Sequence, residues 1–151
     1  MANVIELFTS FHGRISRKSW WIGYVILMVL GWGGQLLINP SLFTTAVPQP
    51  DWAATIWALF LLIPFTAIMV KRFNDGDWPN WLGYAIALIF VLLNIASHFG
   101  GATELMFYIV VGIGGFLYIV NGFLRGTRGP NRYGPDPLQS TSGFASGLPI
   151  I

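Results

Sequence analysis

Cysteine is absent from the chain, which excludes disulfides, thiolate metal sites and cysteine nucleophiles in one step. Charge is almost as scarce. Asp, Glu, Lys and Arg make up 9% of the residues, against roughly 25% in a soluble globular domain. No Lys or Arg falls in the first dozen residues, so the chain does not open like a signal peptide, whose basic region precedes its apolar core. The two histidines, His12 and His98, stand far apart, and neither a nucleophile elbow nor a phosphate loop is present. The expectation is therefore a protein with no catalytic residues, no metal site and no cofactor.

Apolar residues fill the space that charge leaves. They make up 54% of the chain, and mean hydropathy is +0.63. Four stretches, 19–38, 52–70, 81–99 and 105–124, hold no Asp, Glu, Lys or Arg. Each matches the roughly 20 residues a helix needs to cross about 30 Å of hydrocarbon. They are apolar on every face, which argues against the alternating strands of a barrel. Trp20, Trp21, Trp52, Trp57, Trp78 and Trp81 lie at or near their ends, where an indole is half buried and its N–H stays hydrated. Asp51 is placed to cap the second stretch, and Pro64 falls inside it. The few polar residues within the stretches include Asn94 and Asn121, expected to hydrogen-bond between helices, and His98, near an outer end. The expected fold is an all-α integral membrane protein, a four-transmembrane-helix bundle occupying 19–138, with a Ser- and Gly-rich flexible tail over 139–151.

The basic residues orient the bundle. Arg14, Arg17 and Lys18 precede the first stretch, Lys71 and Arg72 follow the second, and Arg125, Arg128 and Arg132 follow the fourth. The loops 39–51 and 100–104 carry none. Short loops rich in Lys and Arg stay in the cytoplasm, so both termini and the middle loop are expected inside. Glu6, Asp75, Asp77 and Asp136 share that face, while Asp51 and Glu104 lie outside. The surplus of positive charge inside is suited to anionic lipid headgroups. Within 1–18, Val4, Leu7, Phe8, Phe11 and Ile15 have the spacing of one helical stripe. They predict a short cytoplasmic interfacial helix ending near Gly13.

Three polar segments, 13–21, 71–78 and 126–137, meet on the inner face. They hold the candidate site: Arg14, Ser16, Arg17, Arg72, Asn74, Asp75, Asp77, Asn131, Arg132 and Asp136. One reading is a structural clasp, in which Arg14, Arg17 and Arg72 pair with Asp75, Asp77 and Asp136 through bidentate guanidinium–carboxylate geometry. The other is an anion site in which glycine-rich turns bring backbone N–H groups to a phosphate. Asp75 and Asp77 are also spaced to share a hard cation, although Asp-Gly-Asp in a short loop more often forms a turn with a cap.

These segments resemble the bacterial inner-membrane family called "domain of unknown function 805", the YhaH-like proteins, over roughly 11 to 138. A G-R-x-S-R-x-x-aromatic-W element is met by Gly13, Arg14, Ser16, Arg17, Trp20 and Trp21. The family's middle-loop Arg and Asp are met by Arg72 and Asp75. A G-x-x-G-x-N-x-aromatic-G-x-D-P element is met by Gly126, Gly129, Asn131, Tyr133, Gly134, Asp136 and Pro137. Asn74 stands where the family usually has histidine, so a proton-transfer or metal role for that histidine fails here. The resemblance implies an inner membrane protein.

Together these features predict a small non-enzymatic inner-membrane protein whose cytoplasmic cluster docks a partner or binds anionic headgroups. Its expected partners are membrane lipids, with a membrane protein or further copies of itself as candidates. Nucleic acid is excluded, because topology accounts for the basic residues. An oligomeric pore or transport component is an alternative, weakened by the lack of charge within the stretches. An enzyme acting on lipid phosphates through Asp75, Asp77 and Arg72 is a further alternative.

Overall fold

Ser16 starts the first long helix. Its backbone is extended and its hydroxyl accepts the Ser19 N–H at 3.2 Å, which satisfies one of the donors a helix start leaves open. Asp51 does the same for the next helix, accepting the Ala53 N–H at 2.7 Å. The computed structural model describes residues 4–40, 51–99 and 103–139. The positions 1–3, 41–50, 100–102 and 140–151 lie outside the described residues, and with them most of the two loops expected outside and nearly all of the expected tail.

Among the described residues the order is α1 (Val4–Thr9), α2 (Arg17–Ile38), α3 (Trp52–Asp75), α4 (Trp81–Ala96), a single 3-10 turn (Ser97–Phe99) and α5 (Thr103–Phe123). Three of these, Arg17–Ile38, Trp52–Asp75 and Trp81–Phe99 with its turn, are long and apolar enough to cross a membrane. In α5 the stretch Gly112–Phe123 is a shorter apolar helix among the described residues. Two boundaries differ from expectation. The interfacial helix stops at Thr9 rather than near Gly13, and Val4 of its stripe is exposed. The second stretch does not end at 70, because α3 runs on to Asp75 and carries Lys71 and Arg72 as helical residues. Pro64 sits inside α3 without ending it.

Helix α3 is the centre of the bundle and packs against α1, α2, α4 and α5. One cluster joins Leu7, Ile15, Trp20, Leu27 and Ile68, so α1, the segment after it and α2 close on one side of α3. A second joins Met69 and Phe73 of α3 to Leu117 of α5, with Leu82, Ile86 and Phe90 of α4 against them. Large apolar side chains elsewhere face outward, among them Ile22, Val29, Ile56, Phe60, Leu88, Leu92, Phe116 and Ile119. Such surface is costly in water and is at home in lipid.

The helices alternate in direction, so the bundle has a basic end and an opposite end. At the opposite end the Gln35 amide donates to the Ala54 carbonyl at 2.9 Å. There His98 pairs with the Thr55 hydroxyl at 2.8 Å and stacks on Trp52 with ring centroids 3.7 Å apart. Asn94 and Asn121 donate to Phe90 and Leu117, each four residues back in its own helix. Both amides were expected to bridge helices, but each donates instead to a carbonyl one turn behind in its own helix.

Gly83 sits directly against Val70, where a Cβ would meet the valine methyl, whereas Gly33 faces open space. Valine cannot swing aside, because its branched Cβ allows few rotamers. Gly83→Ala is therefore expected to lower thermal stability in detergent by about 1–3 kcal/mol. Gly33→Ala is expected to be neutral or slightly stabilising, as alanine is the better helix former. Equal effects from the two substitutions would contradict this packing.

Candidate functional site

At the basic end the chain places one carboxylate between two guanidinium groups. Arg72 and Asp75 lie three residues apart on α3, hence on one helix face, and the Arg72 Nη1 donates to Asp75 Oδ2. Arg14 comes from the loop before α2. Its Nε donates to Asp75 Oδ1 at 3.1 Å, and its Nη2 is 3.0 Å from the same oxygen. The side chains of Arg14, Arg72 and Asp75 are 1%, 2% and 7% exposed. Three charges are thus removed from solvent together, a geometry tolerated only when the remaining donors are also satisfied.

Those donors are satisfied by backbone carbonyls. Arg14 Nη1 reaches the carbonyls of Gly129 at 2.7 Å and Gly134 at 3.3 Å, and Nη2 reaches Thr127 at 2.6 Å. Arg72 Nε donates to the Asn121 carbonyl at 2.7 Å, and its Nη2 to that of Leu124. Helix α5 ends there, and the last carbonyls of a helix lack partners of their own. Trp21 Nε1 takes the Gly122 carbonyl at 3.2 Å and Arg17 Nη1 that of Phe123 at 3.4 Å. Four successive carbonyls, Asn121 to Leu124, therefore meet donors from α2 and α3. The positive charge also suits the negative end of the α5 dipole.

The segment 126–137 folds around Arg14. Asp75 accepts the Thr127 N–H at 2.8 Å and the Thr127 hydroxyl at 3.1 Å through its own backbone carbonyl. Gly126 passes directly over the Asp75 carboxylate, where a Cβ would collide with it. Asn131 and Gly134 exchange two backbone bonds of 3.0 Å each to make a tight turn. Gly129 and Gly134 hold positive φ, which glycine adopts without a Cβ clash. Asn131 donates to the Asn74 carbonyl at 2.9 Å, and Asn74 in turn to the Gly13 carbonyl at 3.0 Å. Asn74 is almost fully buried.

Asp136 accepts the N–H groups of Gly129 at 3.0 Å and Leu138 at 2.9 Å. These bonds hold its carboxyl below the usual carboxylate range. Its contribution to the turn is thus present at neutral pH and is lost as pH falls below that range.

All ten candidate residues lie in or beside this cluster, but the pairing differs from the clasp expected. Arg14 and Arg72 share Asp75. Arg17 pairs with no carboxylate among the described residues, and Asp136 serves backbone donors. Asp77 holds positive φ and pairs with Arg132 at 3.1 Å, both side chains being about half exposed. Arg132 also lies over the Tyr133 ring. Ser16 is the α2 cap. Asp75 and Asp77 face different arginines.

Five residues were missed. Lys71 is buried and its Nζ donates to the carbonyls of Glu6 at 2.9 Å and Leu7 at 2.7 Å, fastening α1 to α3. Thr127 bonds Asp75, and Trp21 caps α5. Arg125 and Arg128 line an open cavity of about 240 Å³ with Ser16, Arg17, Asp75, Gly126, Thr127, Asp136 and Leu138. The contact of Lys71 with α1 had no signal in the sequence, where it reads as one more basic residue after a span. Charge and position alone did not separate Arg125 and Arg128 from Arg14, although only Arg14 matches a family element.

A family model described as "Protein of unknown function (DUF805)" matches residues 8–135, which contain the first two polar segments and all of the third but Asp136 and Pro137, and the chain belongs to that family. The chain is 26% identical over 138 residues to Inner membrane protein YhaH of Escherichia coli (strain K12), an alignment covering 89% of this chain and 92% of the relative. It is 25% identical over 135 residues to Inner membrane protein YhaI of the same strain, with the same coverage of both chains. No solved structure matches the chain.

Asp75→Asn strands two buried guanidinium groups. It is expected to destabilise the protein by about 3–5 kcal/mol, read as a lowered thermal midpoint in detergent. Asp77→Asn, at the exposed pair, is expected to cost no more than about 1 kcal/mol. A comparable loss from both would remove the distinction. Lys71→Met frees the end of α1, so amide exchange at Ser10, whose N–H bonds the Glu6 carbonyl at 3.1 Å, should quicken while exchange within α3 stays slow. Unchanged exchange at Ser10 would deny Lys71 that role.

Proposed function

We propose, taking membership of a family that includes inner membrane proteins as the premise, that this chain is a non-enzymatic inner membrane protein. In this reading it crosses the bilayer four times, keeps both termini in the cytoplasm and binds anionic phospholipid headgroups at its cytoplasmic face. The three apolar helices support the spans, as does α5 with 21 residues. Orientation is supported by the charge pattern. All eight basic residues lie in segments adjoining the start of α2, the end of α3 and the end of α5.

One observation carries the headgroup reading. The buried cluster uses Arg14, Lys71 and Arg72 internally, and the exposed pair uses Arg132. Arg17, Lys18, Arg125 and Arg128 remain without an ion-pair partner among the described residues. Charges held at a cytoplasmic membrane surface and not neutralised by the protein are attracted to anionic lipid, by about 1 kcal/mol for each basic residue. Chemistry on a lipid phosphate is disfavoured for the same structural reason. Arg72 and Asp75, which it would need, are buried and already bonded to each other.

The test is the thermal midpoint of the full chain in phosphatidylcholine nanodiscs with and without phosphatidylglycerol. Anionic lipid is expected to raise the midpoint, and the gain should shrink in 1 M salt, where the screening length falls to about 3 Å. Equal midpoints in the two lipids would overturn headgroup binding. A C-terminal reporter active only in the periplasm would overturn the orientation.

A further inference from the structure

We infer that the cleft between the start of α2 and the end of α5 is a site for one anionic phospholipid, with its phosphate in a cationic cavity and an acyl chain in the apolar slot beside it. This inference rests on the headgroup reading and gives it a location and a stoichiometry.

The cationic cavity is the one lined by Arg17, Arg125 and Arg128. Of the carboxylates in its wall, Asp75 has one oxygen on Arg14 and the other on Arg72. Asp136 turns both oxygens to backbone N–H groups. Three arginines therefore line a cavity with a single carboxylate charge that is not ion-paired, Arg17 also donating to the Phe123 carbonyl. Arg125 and Arg128 have no side-chain partner among the described residues. The guanidinium fork matches phosphate oxygens in geometry as well as charge. The Ser16 and Thr127 side chains stand in the same wall, at the positive end of the 22-residue α2.

The volume narrows the ligand. About 240 Å³ falls below the roughly 300–1,000 Å³ of sites that enclose a small molecule, so the cavity suits a phosphate and its ester oxygens rather than a whole metabolite. A second cavity of about 470 Å³ adjoins it through the shared residues Ser16, Arg17 and Leu138, and is otherwise lined by Lys18, Trp21, Gly122 and Phe123. Gly122 keeps this wall low, since a Cβ there would press on Trp21. Phe123 and Leu138 are exposed and continue the slot in apolar character. A phosphate beside an apolar slot at the end of membrane-length helices is the chemistry of a phospholipid. A free phosphate ester shares the first half of it only.

The experiment is a thermal-shift titration of the detergent-purified full chain with short-chain dihexanoyl phosphatidylglycerol, glycerol phosphate and inorganic phosphate. The lipid is expected to stabilise the protein at concentrations where the other two do little. The double variant Arg125→Gln, Arg128→Gln is expected to raise the half-saturating lipid concentration about tenfold or more, equal to about 1.4 kcal/mol. Arg125→Lys with Arg128→Lys should recover part of that loss, which separates lost charge from lost folding. Arg132→Gln, outside the cavity, should change it little. If wild type and the double glutamine variant respond alike, this site is wrong and the general headgroup reading stands. If no anionic lipid stabilises wild type, both fail. If inorganic phosphate acts as strongly as the lipid, the ligand is a soluble phosphate and the acyl slot is refuted.

Discussion

The carboxylate of Asp75 is the constraint on which the basic end depends. Each of its oxygens meets a different arginine, one from the loop before α2 and one from its own helix. Removing ions from water is costly, and mutual attraction offsets that cost only with good geometry and full hydrogen bonding. The chain meets the requirement by supplying carbonyls that have no other use, at the end of α5 and in the turn after it. The result ties segments about 60 and 115 residues apart in sequence into one block. Gly126 belongs to the same solution, because only a residue without a side chain can pass over that carboxylate.

Apart from Arg132, which pairs with Asp77, the clasp sorts the basic residues into two populations. Arg14, Arg72 and Lys71 are turned inward and serve carbonyls or Asp75. Arg17, Lys18, Arg125 and Arg128 stay outside the buried cluster and surround the cleft between α2 and α5. The inner group fixes the positions of the chain ends from which the outer group projects. A cationic surface built on a fixed frame loses less side-chain and loop freedom when a ligand arrives than one carried by a loose tail.

Much of this was legible in the sequence, for definite reasons. Helices of membrane length follow from stretches without charge, and the cap at Asp51 from residue type and position, whereas the Ser16 cap emerged only with the fold. The meeting of 13–21, 71–78 and 126–137 followed from the basic residues sharing one end. The Arg72–Asp75 contact could be read from its three-residue spacing. The remaining pairings could not. Arg14 sits in a loop, where no periodicity fixes its direction, and Arg17, two residues on, is equally basic yet faces the cleft. Lys71 shows the limit of charge rules, which place a lysine after a span in water. Here a neighbouring short helix offers its last carbonyls and the lysine is buried against them. Asn94 and Asn121 show the converse, since their own helices supplied acceptors.

Solvent exchange of the arginine Nε–H protons, followed by nuclear magnetic resonance on the full chain in micelles, tests the sorting most directly. The account predicts slow exchange for Arg14 and Arg72, whose Nε–H groups are bonded inside the clasp, and fast exchange for Arg125 and Arg128. Exchange at Arg14 or Arg72 as fast as at Arg128 would contradict it, because the clasp would then be open to water and the arginines would form a single population.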